Sequence, residues 1–383
     1  MRKNLNFFCL HSKKFSLIFL LLILLVLSSC VFQTGVLDVF KDYILFLNST
    51  GNVILPYDIA GDEFIDAIPV GEQANANYAP QQIIGSDNYI YVVNSLDNSI
   101  SKFTLNLGFI KKYLLPPGTN PYNAFIDGGY MYISGNVSGR VLKLDLETDK
   151  ITSSDQLYQE NCGLQTIANF GTDYLLTINT NYNLNTNLYE DSKLYILKKD
   201  NMQKVAELDL SQAFTGLDLV NFTQAVVHDD NQIVDLLATG NYYNQSGFLR
   251  LKVTQSGSSF SFTKVSSSKL SDGEYIGGVS TTYDGALYFV TNSNLYRTVL
   301  DDSTVTFSSG IEKNSNIELE NHQISVVKIG ELSDGVYITI LNTPWKKPNQ
   351  FSLVKLTNFS LLNFSKFVEF SGYPVDFYYR KGR

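Results

Sequence analysis

One short pattern returns along this chain, and its spacing limits the folds open to it. Tyr89-Ile-Tyr-Val-Val-Asn94 has close copies in Tyr43–Asn48 and Tyr174–Asn179, and related ones in Tyr130–Asn136, Leu287–Asn292 and Val336–Asn342. A weaker copy runs from Ile233 through Ala238 to Asn241. Each is a strand-length run of apolar, aromatic and β-branched residues. Turn-forming residues stand just ahead of the copies, as at Asp87-Asn88, Asp127-Gly128-Gly129 and Asp284-Gly285. Such residues suit hairpin turns, which need positive φ or a local side-chain bond. A second alternating strand follows, for example Ser99–Leu105, Arg140–Leu146 or Phe248–Val253, and often a further one such as Phe109–Leu115. Successive terminal asparagines are 46, 42, 43, 62, 51 and 50 residues apart. Four-stranded units of that length predict an all-β fold, a β-propeller of about seven four-stranded blades. The longer spacings predict extended loops, notably at Tyr182–Asp191 and Gln255–Ser259. An eighth, degenerate unit within 199–275 is not needed.

The two ends of the chain fit the same scheme. Gly372-Tyr-Pro-Val-Asp-Phe-Tyr-Tyr379 is similar to Gly118-Thr-Asn-Pro-Tyr-Asn-Ala-Phe125, which opens the third unit. A C-terminal strand of that kind would complete the first blade and remove an open sheet edge. Its apolar and aromatic content is unlike that of a disordered tail. The 24 Tyr and 25 Phe against one Trp also favour strands over helices.

The N-terminus carries an address. Arg2, Lys3, Lys13 and Lys14 precede an apolar run from Phe15 to Leu27, then Ser28, Ser29 and Cys30. A basic start, a short apolar stretch and a small-residue cut site make a secretory signal. The ending Leu27-Ser28-Ser29-Cys30 resembles the lipobox of bacterial lipoproteins. That resemblance implies cleavage before Cys30 and lipidation of its thiol, with the membrane as a partner through the lipid. The expected organisation is a signal peptide over 1–29, a lipidated tether over 30–35 and a propeller over 36–383. The alternative is an uncleaved anchor helix over 15–27; either way, residues 31–383 lie outside the cytoplasm. Val31 follows the cysteine where an Asp retains enteric lipoproteins in the inner membrane, which leans towards the outer membrane. The Tyr-Ile-Tyr-Val-Val-Asn motif, the proline-plus-turn ahead of it and the 42-residue spacing resemble the YVTN-type propeller repeats of prokaryotic envelope proteins. The likeness is clear over 78–150 and looser elsewhere, and it implies fold far more than function.

Composition excludes some roles. Removing the four basic residues of the signal takes the formal net charge from −8 to −12. An acidic chain without a basic cluster is a poor partner for nucleic acid or anionic headgroups. With Cys9 in the signal and Cys30 lipidated, Cys162 stands alone, so the fold rests on packing without an internal disulfide. No G-x-S-x-G, H-E-x-x-H or phosphate loop occurs. The single Trp345 does not make the repeated tryptophan motifs of quinone-dependent propellers, and no assignable Glu/Asn/Asp set matches the metal site of lactonase-type ones. No cofactor, catalytic residue or metal ligand is assigned. His228, before Asp229-Asp230-Asn231, occupies the place of a hairpin turn.

What remains is a set of polar residues near the starts of inner strands, where a propeller channel opens. Gln82, Asn123 and Asp376 each follow a proline by two; Gln165, Gln224, His322 and Gln323 fall at similar places. Such groups could bind a sugar or peptide, or could satisfy backbone groups at the mouth. Tyr182, Tyr189, Tyr242 and Tyr243, in long loops, could instead mark a protein-binding face. The sequence reading is a lipid-anchored cell-envelope propeller acting as a non-catalytic module or scaffold for an envelope protein or small ligand. A subordinate version, on likeness of architecture and anchoring, is assistance in outer-membrane barrel assembly. The alternative is a propeller enzyme of metal-dependent lactonase-like or glycan-active type.

Overall fold

The computed structural model describes residues 36–72, 77–158, 163–183, 185–228, 232–241, 245–283, 286–291, 295–299, 305–307, 329–332, 335–341, 350–358 and 363–383. The expected signal peptide and tether with Cys30, and Cys162, Tyr242, Tyr243, His322, Gln323 and Trp345, lie outside them. Every repeat copy becomes the second strand of an antiparallel sheet. Tyr89–Asn94 lies between Pro80–Gly85 and Ser99–Thr104, with Phe109–Leu114 outermost. The same order recurs in the sheets that begin at Pro121, Leu164, Phe222, Ile276 and Ile329. Neighbouring inner strands pack side by side around an axis, and Pro374–Arg380 stands between Ile329–Leu332 and Pro80–Gly85. The fold is an all-β propeller. Among the described residues no helix is long and apolar enough to cross a membrane.

The blade count differs from the expectation of about seven four-stranded units. Among the described residues six sheets have the regular four-stranded form, and one is a small two-stranded hairpin. The last sheet is five-stranded and composite, built from both ends of the described chain. Tyr43–Asn48 pairs on one side with Val53–Asp58 and on the other with Pro374–Arg380, from Leu45↔Tyr378 to Tyr43↔Arg380. Its outer strand is split into Glu63–Phe64 and Ile68–Pro69, which pair with opposite ends of Val53–Asp58. Gln255–Ser259 also departs from the extended loop expected there. It is the tip of a long hairpin, Gly247–Ser256 with Ser259–Lys269. Phe260 on that hairpin meets the rings of Phe170 and Tyr174 in the preceding sheet. That contact gives the extension an apolar face to lie on.

The repeat motif is apolar at nearly every position because both faces of its strand are covered. Ile90 and Val92 pack towards the composite sheet, with Leu45, Leu47 and Phe103. Tyr91 and Val93 pack the other way, with Met131, Ile133 and Leu142. Burying a residue of this kind stabilises the fold by about 1.5–3 kcal/mol. A second regularity joins the motif to the next strand. The aromatic at its third position faces a cation: Tyr91↔Lys102, Tyr132↔Lys143, Tyr288↔Arg297 and Tyr337↔Lys355. Each cation lies within 6 Å of the ring centroid, the range of a cation–π contact. The closing Asn fixes the turn beyond. Asn48 Oδ1 accepts from Thr50 N and Tyr373 N, and Asn179 Oδ1 accepts from Lys193 N.

The composite sheet packs closely on its neighbour. A Cβ on Gly85 would collide with the ring of Tyr378 from the closing strand. Overpacking of this kind costs about 1–3 kcal/mol, so Gly85→Ala is expected to lower the urea midpoint by a corresponding amount. The Lys41–Asp58 pair, at 2.6 Å, ties the N-terminal segment to the same sheet. The hydrogen bond from Lys41 holds the Asp58 carboxyl below the usual carboxylate range. A carboxylate with a depressed folded pKa contributes stability above its unfolded pKa and loses it as pH falls through the folded one. The stability difference between the parent chain and Lys41→Met should therefore be greatest near neutrality. It should shrink below about pH 4, as read by urea unfolding across pH.

Candidate functional site

An innermost strand of a blade has no ladder partner on its axial side, so half of its N–H groups need other acceptors. The residues flagged at the strand starts supply them. Asp376 Oδ2 accepts from Ile83 N at 2.9 Å, and its Oδ1 accepts from Phe377 N at 2.8 Å. Gln82 Oε1 accepts from Ala124 N at 2.7 Å, one blade further on. Gln224 Oε1 accepts from Ser280 N at 2.6 Å in the same sense. Three of the candidate residues thus latch one inner strand to the next. A bulge at each strand start turns the side chain sideways into this position, with register shifts at Pro80/Gln82, Phe222/Gln224 and Leu47/Asn48.

The remaining candidates fall differently. Asn123 is half-buried, and its backbone exchanges two hydrogen bonds with Ser134 Oγ. Gln165 is the bulged residue of its strand, between Leu164 and Thr166. It therefore matches Gln81, whose Nε2 donates to Ala79 O and Ser95 Oγ, and Thr166 takes the place of Gln82. His322 and Gln323 lie outside the described residues. Among the described residues no three His, Cys, Asp or Glu side chains are grouped to hold a metal ion.

His228 is buried, and it has partners that the sequence reading missed. Its Nε2 lies 2.9 Å from Asp235 Oδ2. Arg250 donates from Nε to Asp235 Oδ1 and from Nη2 to Oδ2, both at 2.8 Å, and from Nη2 to Thr298 Oγ1 of the next blade at 3.1 Å. Asp235 and Arg250 face each other in register at the motif position held elsewhere by Tyr and Lys. An Asp in that otherwise aromatic place was the available signal. The trio is enclosed between blades, with Asp235 fully buried.

Open chemistry lies on the same face as the strand starts but in aromatic groups. In an antiparallel meander, inner strands begin on the side where the turns between second and third strands lie. Tyr122 follows Pro121 at one such start. The small hairpin Tyr182–Asn183 with Leu188–Tyr189 rises from the turn of the following blade. Its two tyrosine rings are 4.9 Å apart, and Asn241 clamps it by donating to Tyr189 O and accepting from Tyr189 N. Tyr122 keeps 36% of its surface open to water. Burial nevertheless pushes its phenol above the usual tyrosine range. Tyr122 is thus a partly open aromatic group on this face. The Tyr189 phenol is also raised, by burial first and then by Tyr122 and Tyr182, which brings the three phenols into one cluster. Leu96, Leu188 and Tyr373 are exposed on this face as well.

No family model matches the chain, and no curated protein matches its sequence. Solved structures share its architecture. Virginiamycin B lyase from Staphylococcus aureus superposes with a TM-score of 0.54 at 16% identity, over 76% of this chain and 85% of that one. A Bacteroides fragilis protein provisionally named 6-phosphogluconolactonase gives 0.57 at 12% identity, over 89% and 98%. A protein of unknown function from Desulfotomaculum acetoxidans gives 0.57 at 9%, over 87% and 100%. At such identities the likeness shows the propeller fold alone.

The latch makes a stability prediction. Gln82→Leu strands the N–H of buried Ala124 without its acceptor, which costs about 1–3 kcal/mol. The thermal midpoint is expected to fall, whereas a residue serving only a ligand would leave it unchanged.

Proposed function

We propose that this chain is a lipid-anchored propeller of the bacterial cell envelope, presenting a binding face to a protein or small-molecule partner without catalysis. One observation carries the binding reading. The side chains at the channel mouth that could do chemistry, Asp376, Gln82 and Gln224, hold backbone N–H groups of adjacent strands. The exposed groups beside them are aromatic and aliphatic: Tyr122, Leu188, Tyr373 and Leu96. Surfaces of that composition are suited to recognition, where aromatic anchors supply much of the affinity. The lyase and lactonase names of the fold neighbours belong to those proteins, and an enzyme reading here would need a second acid beside Asp376. The anchoring reading is supported by the signal and lipobox-like residues ahead of Cys30.

Two arms test this. Palmitate labelling in a bacterial host is expected for the parent chain and not for Cys30→Ala; equal labelling of both would remove the anchor. Crosslinking in the native envelope should yield a defined adduct that Tyr122→Ala with Leu188→Ala abolishes while the melting temperature is held. An adduct indifferent to that pair would place the binding surface elsewhere.

A further inference from the structure

The face opposite the aromatic cluster carries the N-terminal segment, and its construction is specific. Leu37 is buried, and its N–H donates to Asn106 O in the turn between the third and fourth strands of the next blade. Arg383 at the other terminus donates to Asp87 O and Asn88 Oδ1, in the turn between first and second strands. Both turns belong to the side away from the inner-strand starts. The loop between is clasped by Arg380, which is only 2% exposed. Its guanidinium donates to the carbonyls of Asp38 and Lys41 at 2.7 Å and of Val39 at 3.3 Å. Asp38 Oδ1 accepts from Phe40 N, and Arg383 N donates to Val39 O. There is room for this only because residue 382 is Gly, whose Cβ would otherwise strike Phe40 O. The outcome of all this ordering is that Phe40 projects with 75% of its surface in solvent, near Val36 at 56%.

Phe40 and Val36 are thus the large apolar side chains that this ordered loop leaves in solvent. We infer that this face is the membrane-facing side of the propeller, with Phe40 seated in the headgroup region. This rests on the lipid-anchor reading. From Cys30 to Val36 is six residues, which span at most about 20 Å even when fully extended. A lipid on Cys30 therefore holds Val36 within that distance of the bilayer, and the face that carries Phe40 is nearer to it than the face with the aromatic cluster. The contact is apolar in nature, in keeping with the acidic charge of the chain.

The test uses the full-length protein made in a bacterial host and reconstituted into phosphatidylcholine vesicles with brominated acyl chains. Tryptophan is placed by Phe40→Trp on one face and Leu96→Trp on the other. Each is read as the increment over the parent chain, whose one tryptophan is Trp345. The Phe40→Trp emission is expected to shift to the blue and to be quenched several-fold more than that of Leu96→Trp. Vesicle flotation separates the two ways of failing. Protein that floats, with Phe40→Trp quenched no more than Leu96→Trp, overturns the orientation and leaves the anchor standing. Protein that does not float, and behaves like Cys30→Ala, overturns the anchor and this inference with it.

Discussion

The pairing of Tyr43–Asn48 with Pro374–Arg380 joins the two ends of the described chain, and every other sheet depends on it. No blade can bury both of its faces alone. Each motif strand is covered by a neighbour on either side, so an open ring would expose one whole apolar face at each end. The composite sheet supplies both missing covers. Ile44, Phe46 and Phe377 pack on Tyr337 and Leu353 of the last blade, while Leu45 and Leu47 pack on Ile83, Ile90 and Val92 of the next. Closing so long a loop is less costly than it looks, because loop entropy grows only with the logarithm of length. The contacts are nevertheless distant in sequence, and a topology of this kind folds slowly. The polar bonds around the seam fix its register. Tyr379 donates to Asp42, Gly382 N donates to the same carboxylate, and Arg380 holds three carbonyls.

Closure leaves one difficulty unsolved, which is the inner edge of every sheet. Around the axis the innermost strands sit too far apart to pair with one another as a ladder, yet their N–H groups are partly enclosed. The bulged strand starts resolve this by sending a Gln or Asp side chain across to the next strand. The same geometry places amides and a carboxylate where a ligand would enter, so position alone does not separate a latch from a binding group. Hydrogen-bond partners do separate them. An oxygen 2.6–2.9 Å from a neighbouring backbone nitrogen already serves the fold.

Much of this architecture was legible because the fold repeats its own constraints. Seven copies of one motif became seven second strands, since a doubly covered strand must be apolar at almost every position. Gly372–Tyr379 was legible as a closing strand because Pro374 can start an inner strand without forfeiting a ladder bond. What escaped depended on single-residue offsets and on contacts between blades. Gln165 stood at a place similar but not identical to that of Gln82, and a one-residue bulge makes Thr166 the counterpart. Gln255–Ser259 read as a loop because its serines and glycine carry no pattern, yet Phe260 and the rings beneath it hold a hairpin there. His228 gained its role from Asp235 on the next strand, which Arg250 holds in turn. Tyr122 lay inside a segment legible only as a strand; the fold brings it near enough to Tyr189 of the following blade for the two phenols to influence each other.

Which end donates the closing strand also decides which way the disc faces. Strands alternate direction within a blade, so the side on which the chain enters is set by whether its first strand is an inner or a second one. Here the N-terminal segment leads directly into a second strand, Tyr43–Asn48, and the inner strand beside it is borrowed from the C-terminus. The chain therefore enters on the side of the turns at Asp87-Asn88 and Asn106, away from the inner-strand starts. Had residues ahead of Tyr43 formed the inner strand themselves, a tether at Cys30 would emerge beside Tyr122 and the 182–189 hairpin. The aromatic cluster would then face whatever the proposed tether is fixed to. With the closure as it stands, the proposed short tether and an outward-facing aromatic cluster are compatible. Arg380 connects the two requirements, because the residue that ends the closing strand is also the one that organises the loop carrying Phe40.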